Sequence, residues 1–287
     1  QVAAAAQALS GVEAGHRVCV HEAAMAPTSL LEALARRGRE LSHVEVVHLH
    51  VNGPAPHLAP DLAGHIRHNA LFVGPSAREA VNDGRADFTP VFLSEVPHLF
   101  HDGSLPLDVA LVQVSPPNRH GYCRLGVSVA GARSAVDHAR IVIAEINKKV
   151  PRTDGHTAIH IDKIHFGVEV DRPLPEHLDS EPGEVERRIG GLIAEHVPDG
   201  ATLQMGIGTI PDAVLAQLHQ RSDLGVHTEM FTDGLVRLVK SGAITGAQKT
   251  MFKNRIVASF AMGSQALDDY VDHNPSVEFH PSDIVND

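Results

Sequence analysis

Cysteine is scarce in this chain of 287 residues: Cys19 and Cys123 are the only two. They share no Cys-x-x-Cys spacing, and each falls in a segment reading as strand or strand edge, so the pattern favours buried free thiols over a disulfide, a metal knuckle or a redox pair. Long apolar runs are missing as well. Nothing approaches the roughly 18 consecutive apolar residues of a membrane span, and residues 1–9 lack the basic region and apolar stretch of a secretory leader. A cytoplasmic protein that meets no membrane is the expectation. Lysine and arginine form no cluster and the formal charge is −11, which argues against a nucleic-acid footprint. A Gly-x-Ser-x-Gly elbow is also absent, which argues against a serine hydrolase.

What is present fits a mixed α/β chain. Apolar residues make up 43% of the sequence, enough for one large core or two moderate ones, and two α/β domains are the default at this length. Histidine is abundant, at 21 residues. Pairs such as His48/His50 and His65/His68 raise the question of a metal, but ligands need convergent partners and supporting hydrogen bonds that a sequence does not display. Most of the histidines read as surface residues, with no metal and no resident cofactor.

Short apolar runs alternate with helical patterns in the first half, the mark of repeated βα units around a mostly parallel sheet. The runs predict strands over 17–21, 43–51, 70–73, 88–92, 109–114 and 141–146. Leu30, Leu31 and Leu34 recur at helical spacing behind Thr28, a candidate N-cap, and further helices are predicted over 76–82 and 131–138. Residues 170–183, with three prolines and several acids, read as a linker. The expected domains are therefore 1–180 and 181–287.

Past the linker the pattern predicts a helix over 184–196, a strand over 202–205 and a glycine loop, Gly206-Ile207-Gly208. A helix then begins near Pro211. A strand over 224–228 ends in Glu229, followed by a helix over 235–240, a strand over 255–260 and a helix over 264–273. The loop offers close backbone approach and a helix N-terminus, which suits a phosphate or thioester; a ligand-free turn explains the same residues. It has neither the third glycine of a dinucleotide fingerprint nor a Gly-Lys-Ser/Thr sequence. Glu229 is placed at the strand edge where open α/β sheets carry their ligand sites, although a solvated loop acid remains the alternative. The segment Ser115-Pro116-Pro117-Asn118-Arg119-His120-Gly121 also follows a strand, and either lines a cleft or makes a rigid turn.

Six blocks taken together, SPPNRHGYCRLGVSV (115–129), PRTDG (151–155), VEVDRPLPE (168–176), QMGIGTIPDAV (204–214), LGVHTEMFTDG (224–234) and FAMGSQALDDYVDHNP (260–275), resemble the acetyl-CoA hydrolase/transferase family, most of all its 4-hydroxybutyrate and related carboxylate CoA-transferases. The resemblance covers nearly the whole chain. It implies two NagB/RpiA/CoA-transferase-like domains with mostly parallel sheets, the second cut short at its C-terminus, and a site between them. Glu229 matches the family's nucleophilic glutamate. Gln204, Gly206, Ile207, Gly208 and Asn286 match positions that bind the acyl-CoA. The implied reaction moves coenzyme A between short-chain carboxylic acids of the acetate, 4-hydroxybutyrate, butyrate or succinate type by a ping-pong route through a glutamyl-CoA thioester, with the coenzyme A thioester as substrate rather than cofactor. Acyl-CoA hydrolysis or a non-catalytic CoA-binding role are the alternatives. A homodimer is the implied assembly. One departure concerns the turn after the first strand, glycine-rich in the family but His21-Glu22-Ala23-Ala24-Met25-Ala26-Pro27 here; the glycine-rich CoA-binding segment expected beyond Val285-Asn286-Asp287 is the other.

Overall fold

The computed structural model describes residues 3–178 and 181–287. Its strands, in chain order, are β1 (Arg17–Val20), β2 (Val44–His48), β3 (Ile66–Ala70), β4 (Ala86–Phe88), β5 (Val109–Val114), β6 (Tyr122–Arg124) and β7 (Ile141–Asn147). There follow β8 (Asp154–Gly155), β9 (Ala158–His160), β10 (Phe166–Val170), β11 (Thr202–Leu203), β12 (Gly225–Phe231), β13 (Ile256–Ala261) and β14 (Val277–Phe279). Seven of them build a parallel sheet in the order β10-β7-β5-β1-β2-β3-β4, and five build a second parallel sheet, β11-β12-β13-β14-β8. β6 and β9 pair as a small antiparallel ribbon.

The central strands are apolar on both faces because both faces are covered, as parallel sheets require. Every residue of β5, Val-Ala-Leu-Val-Gln-Val, is buried. Its alternate side chains feed different cores: Val109 and Leu111 meet Leu30, Leu31 and Leu34 of the helix Thr28–Gly38. Ala110, Val112 and Val114 instead join a core that continues into the second half through Phe231, Leu235 and Phe279. Hydrogen bonds from the Val129 N–H to the Ser259 carbonyl (2.9 Å) and from the Ala261 N–H to the Val127 carbonyl (2.7 Å) tie the same halves. β8 belongs in sequence to the first half and yet closes the edge of the second sheet against β14. Gly155 permits this: its φ is +90°, and a Cβ there would run into the backbone of Phe279.

Several expectations shift. β3 ends at Ala70 where the predicted strand began, because pairing with β2 fixes Ile66, His68 and Ala70 on the covered side despite the polar Arg67 and Asn69. β4 likewise ends at Phe88 rather than starting there. β10 runs directly into the predicted linker, whose residues 171–178 have no regular structure; the expected boundary between 180 and 181 touches residues outside those described. Thr28 does not cap its helix, which starts after Pro27. The cap comes from far along the chain: Glu145 Oε1 accepts the N–H groups of Ser29 (2.6 Å) and Leu30 (3.1 Å), and Arg172 pairs with its other oxygen at 2.8 Å.

Cys19 and Cys123 are free and buried. Burial pushes the Cys123 thiol up to about 11 and raises Cys19 as well. No helix among the described residues is long and apolar enough to cross a membrane.

Candidate active site

Glu229 lies within β12 rather than beyond its end, since parallel pairing with β13 continues through Met230–Phe260 and Phe231–Ala261. Its side chain is half-buried. Strand alternation gives it one face with His227 and Phe231, while Thr228 and Met230 point the other way. On its own face, Glu229 Oε2 accepts a hydrogen bond from Asn286 Nδ2 at 3.1 Å. His227 hydrogen-bonds the backbone of Ile284 and Val285, the two residues before Asn286. Burial, followed by the nearby Lys249 charge, holds His227 below its ordinary value. Lys249 is itself buried, donating to the carbonyls of Val226 and Arg255 at 2.7 Å each, and burial lowers it to about 8. The foot of β12 is thereby held on one side by the Lys249 ammonium and at the level of Glu229 by the 284–286 segment.

The glycine loop meets the opposite face of β12. The Met205 N–H donates to Thr228 Oγ1 at 3.0 Å, and the Thr228 hydroxyl lies 3.1 Å from the Met205 carbonyl. Gln204, Gly206, Ile207 and Gly208 follow on the exposed side. Gly208 stands at φ +105° and ψ −179° immediately before the helix Thr209–Leu215, which begins two residues earlier than the position of Pro211 implies. That backbone region is open almost only to glycine. A cavity of about 90 Å³ lies against this loop, with Ile207 and Gly208 on one side and Met230 and Thr232 on the other. The Thr232 hydroxyl is buried without a hydrogen-bond partner, leaving a polar group for a ligand in the cavity wall. Glu229 itself is not among the lining residues.

The first half approaches the same strands. Ala23, after β1, packs with Met230 and Phe260, and adopts φ +55° although it is not glycine. The turn that departs from the family pattern therefore keeps a left-handed residue, at a cost of about 1–2 kcal/mol for its Cβ. Val51 pairs with Ala23, and the His50 ring contacts Phe260 with centroids 5.8 Å apart.

The structure thus joins Glu229 directly to Asn286, sets Ile207 and Gly208 in a cavity wall beside Met230, and leaves Gln204 and Gly206 exposed on the loop. Thr228, His227 and Thr232 escaped the sequence reading; the strict alternation of β12 around Glu229 was the available signal for the first two. His177 and Leu178 line the cavity from the linker, which no local pattern announces. The 115–121 segment makes a self-closed turn: Asn118 Oδ1 accepts from the N–H groups of His120 (2.9 Å) and Tyr122 (3.0 Å), and Arg152 donates to Ser115 Oγ (3.1 Å) and the Pro116 carbonyl (2.7 Å).

Residues 1–176 match the family model described as the acetyl-CoA hydrolase/transferase N-terminal domain. The chain belongs to the acetyl-CoA hydrolase/transferase family. It is 45% identical to the 4-hydroxybutyrate coenzyme A transferase of Clostridium kluyveri over 98% of this chain and 66% of that one. Against the succinyl-CoA:acetate/propanoyl-CoA:succinate CoA transferase of Fasciola hepatica, identity is 43% over 92% of this chain and 55% of the relative. Among solved structures, the 4-hydroxybutyrate CoA-transferase of Porphyromonas gingivalis superposes with a TM-score of 0.89 at 40% identity, covering 100% of this chain and 69% of that one. The chain therefore spans somewhat over half to about two thirds of these family members' lengths.

Proposed function

We propose that this chain carries the acyl-transfer site of a CoA-transferase that moves coenzyme A between short-chain carboxylic acids, with Glu229 as the nucleophile. The observation that carries this reading is the half-buried Glu229 carboxylate, fixed by Asn286 Nδ2 at 3.1 Å on a strand braced against an open glycine loop. A carboxylate is a weak nucleophile, so it must be positioned and partly removed from water, as this one is. The names of the two relatives given above, both coenzyme A transferases, support the same chemistry, while two relatives of 25–26% identity are named acetyl-CoA hydrolases.

Glu229 attacks the thioester carbonyl of an acyl-CoA, and the tetrahedral intermediate expels CoA thiolate to leave an acyl-glutamyl anhydride. The thiolate attacks the glutamyl carbonyl, releasing the first carboxylate and leaving a glutamyl-CoA thioester. A second carboxylate reverses these steps and leaves as the new acyl-CoA. Backbone N–H groups of the Gly206–Gly208 loop supply donors to the developing oxyanion, and Asn286 Nδ2 holds the attacking carboxylate. Hydrolysis would share the first half-reaction and diverge only when water takes the place of the acceptor acid.

The test incubates the intact protein with acetyl-CoA and no acceptor, then digests it and weighs the peptide containing Glu229. A CoA adduct on that peptide, discharged by short-chain acids into new acyl-CoA, is expected. Steady release of acetate and CoA without an adduct or acceptor dependence would make the protein a hydrolase.

A further inference from the structure

Three histidines that the site does not use converge inside the first half. His48 ends β2, His68 sits in the middle of β3, and His57 comes from the short 3-10 turn Pro56–Leu58 in the connection between those strands. All three are buried, and one ring nitrogen from each lies within 4.8 Å of those of the other two. The sequence pairs His48/His50 and His65/His68 do not act as units: one member of each joins His57. His50 faces Phe72 and Phe260, and His65 Nδ1 bonds the Leu41 carbonyl at 2.7 Å.

The geometry points to a divalent transition-metal site, of the zinc class, formed by His48, His57 and His68. His48 Nε2 and His57 Nε2 stand 3.1 Å apart, close to the edge of about 3.3 Å between two nitrogens of a tetrahedral zinc with bonds near 2.0–2.1 Å. His68 Nδ1 is held 2.9 Å from the Val46 carbonyl, which puts its proton there and leaves the Nε2 lone pair free, the supporting bond that metal-binding histidines characteristically make. That Nε2 is buried without a partner, as are the Nδ1 atoms of His48 and His57.

Burying three imidazoles with a single hydrogen bond among them is a poor use of a core, since each unpaired polar atom costs on the order of 1–3 kcal/mol. A cation that takes up the His68 lone pair and replaces the proton shared by His48 and His57 removes the part of that cost carried by His68 Nε2, and its bonds to all three rings offset the rest. The rings also have the protonation that ligation needs. Burial disfavours the charged imidazolium in all three, and only the neutral ring ligates.

A fourth ligand has room. A cavity of about 10 Å³ touches His57 and His68, about what one water molecule needs. Arg85 lines the same cavity, but its charge is met by Glu79 at 3.5 Å and Asp83 at 3.2 Å. With imidazoles only and neither thiolate nor carboxylate in the set, zinc, cobalt, nickel and copper suit the site, whereas calcium and magnesium do not. The consequence is structural: the ion would pin the β2–β3 connection, whose His50 and Val51 meet Phe260 and Ala23 on the wall beside β12.

The experiment strips the intact protein with a chelator, titrates it with Co²⁺ and reads the visible d–d absorption, then repeats the titration with Zn²⁺ as competitor. The expected result is an intense tetrahedral band that saturates at one equivalent per chain, is abolished by Zn²⁺, and is lost in both His57→Gln and His68→Gln. A surface variant, His98→Gln, should keep it. Zn²⁺ should also raise the melting temperature of the unmodified protein and not of His57→Gln, whose residue sits in a connection rather than a strand. Only the weak, unsaturable absorption of surface-bound cobalt in the unmodified protein, or an intense band that survives in both His57→Gln and His68→Gln, would overturn the assignment. The first of these needs no variant to fold.

Discussion

Asn286 Nδ2 donates to Glu229 Oε2 at 3.1 Å, joining two residues 57 positions apart in the chain. The bond exists because β12 presents Glu229 on the face that receives the short helix Ser282–Val285, with His227 holding the backbone just before Asn286. Asn286→Ala should leave the carboxylate in place but unoriented. The rate of transfer is expected to fall on the order of a hundredfold, mainly in kcat, because a misplacement of about 1 Å is costly in a near-attack geometry. Steady-state kinetics on the intact protein, with circular dichroism to show an unchanged fold, measure this.

Glu229→Gln and Glu229→Ala should abolish transfer, since neither side chain forms an anhydride. Glu229→Asp retains the carboxylate one methylene short and should lose on the order of a hundredfold. An acceptor acid labelled with heavy oxygen separates covalent from direct transfer. Its attacking oxygen bridges the new anhydride and leaves with Glu229, so the label should appear in the peptide around 227–233. Turnover with an unlabelled peptide would show direct attack of the acceptor on bound acyl-CoA.

Thr228 tests the brace on the other face of the strand. It is fully buried, and its hydroxyl accepts the N–H of Met205. Thr228→Val keeps the shape and strands that N–H, at a cost of about 1–3 kcal/mol. The loss should be visible as a lower denaturant midpoint and as faster hydrogen exchange at Met205 and the glycine loop. Thr228→Ser should restore most of both.

Asp268 supplies a pH dependence. Burial, and after it the charges of Asp269, Asp233 and Glu176, raise its carboxyl to about 7 from an ordinary 3.8. The folded protein therefore holds a proton that the unfolded chain releases, and stability falls as pH rises from about 4 to 7. Asp268→Asn should stabilise the protein at pH 7 by on the order of 1 kcal/mol, discounted for the partial exposure of the group, and make little difference at pH 4. Thermal melts of both proteins across that range give the answer; a constant difference at every pH would remove Asp268 from the linkage.

Much of this was legible in the chain. β5 is read correctly to the residue because a strand buried on both faces is a nearly continuous apolar run, broken here only by Gln113. Glu229 and Asn286 came from a family pattern, and the structure adds the hydrogen bond between them. Strands of two or three residues were missed, as β6, β8, β9 and β14 were, or drawn too long, as β11 was, because so few residues carry no period; they exist only through their neighbours. The Glu145 cap on the Thr28–Gly38 helix and the convergence of His48, His57 and His68 were beyond reach for a related reason. Each brings together residues whose proximity is set by sheet order, and sheet order is a tertiary property.

β8 has a consequence for the way the chain is made. Gly155 emerges from the ribosome long before Phe279, so the strand that will close the second sheet waits, unpaired, while the rest of that sheet is synthesised. Residues 181–287 produced alone would present the bare edge of β14 to solvent and to one another, an invitation to intermolecular strand pairing. The two sheets should accordingly melt in one cooperative step, and a cut between them should yield pieces that aggregate until they are mixed.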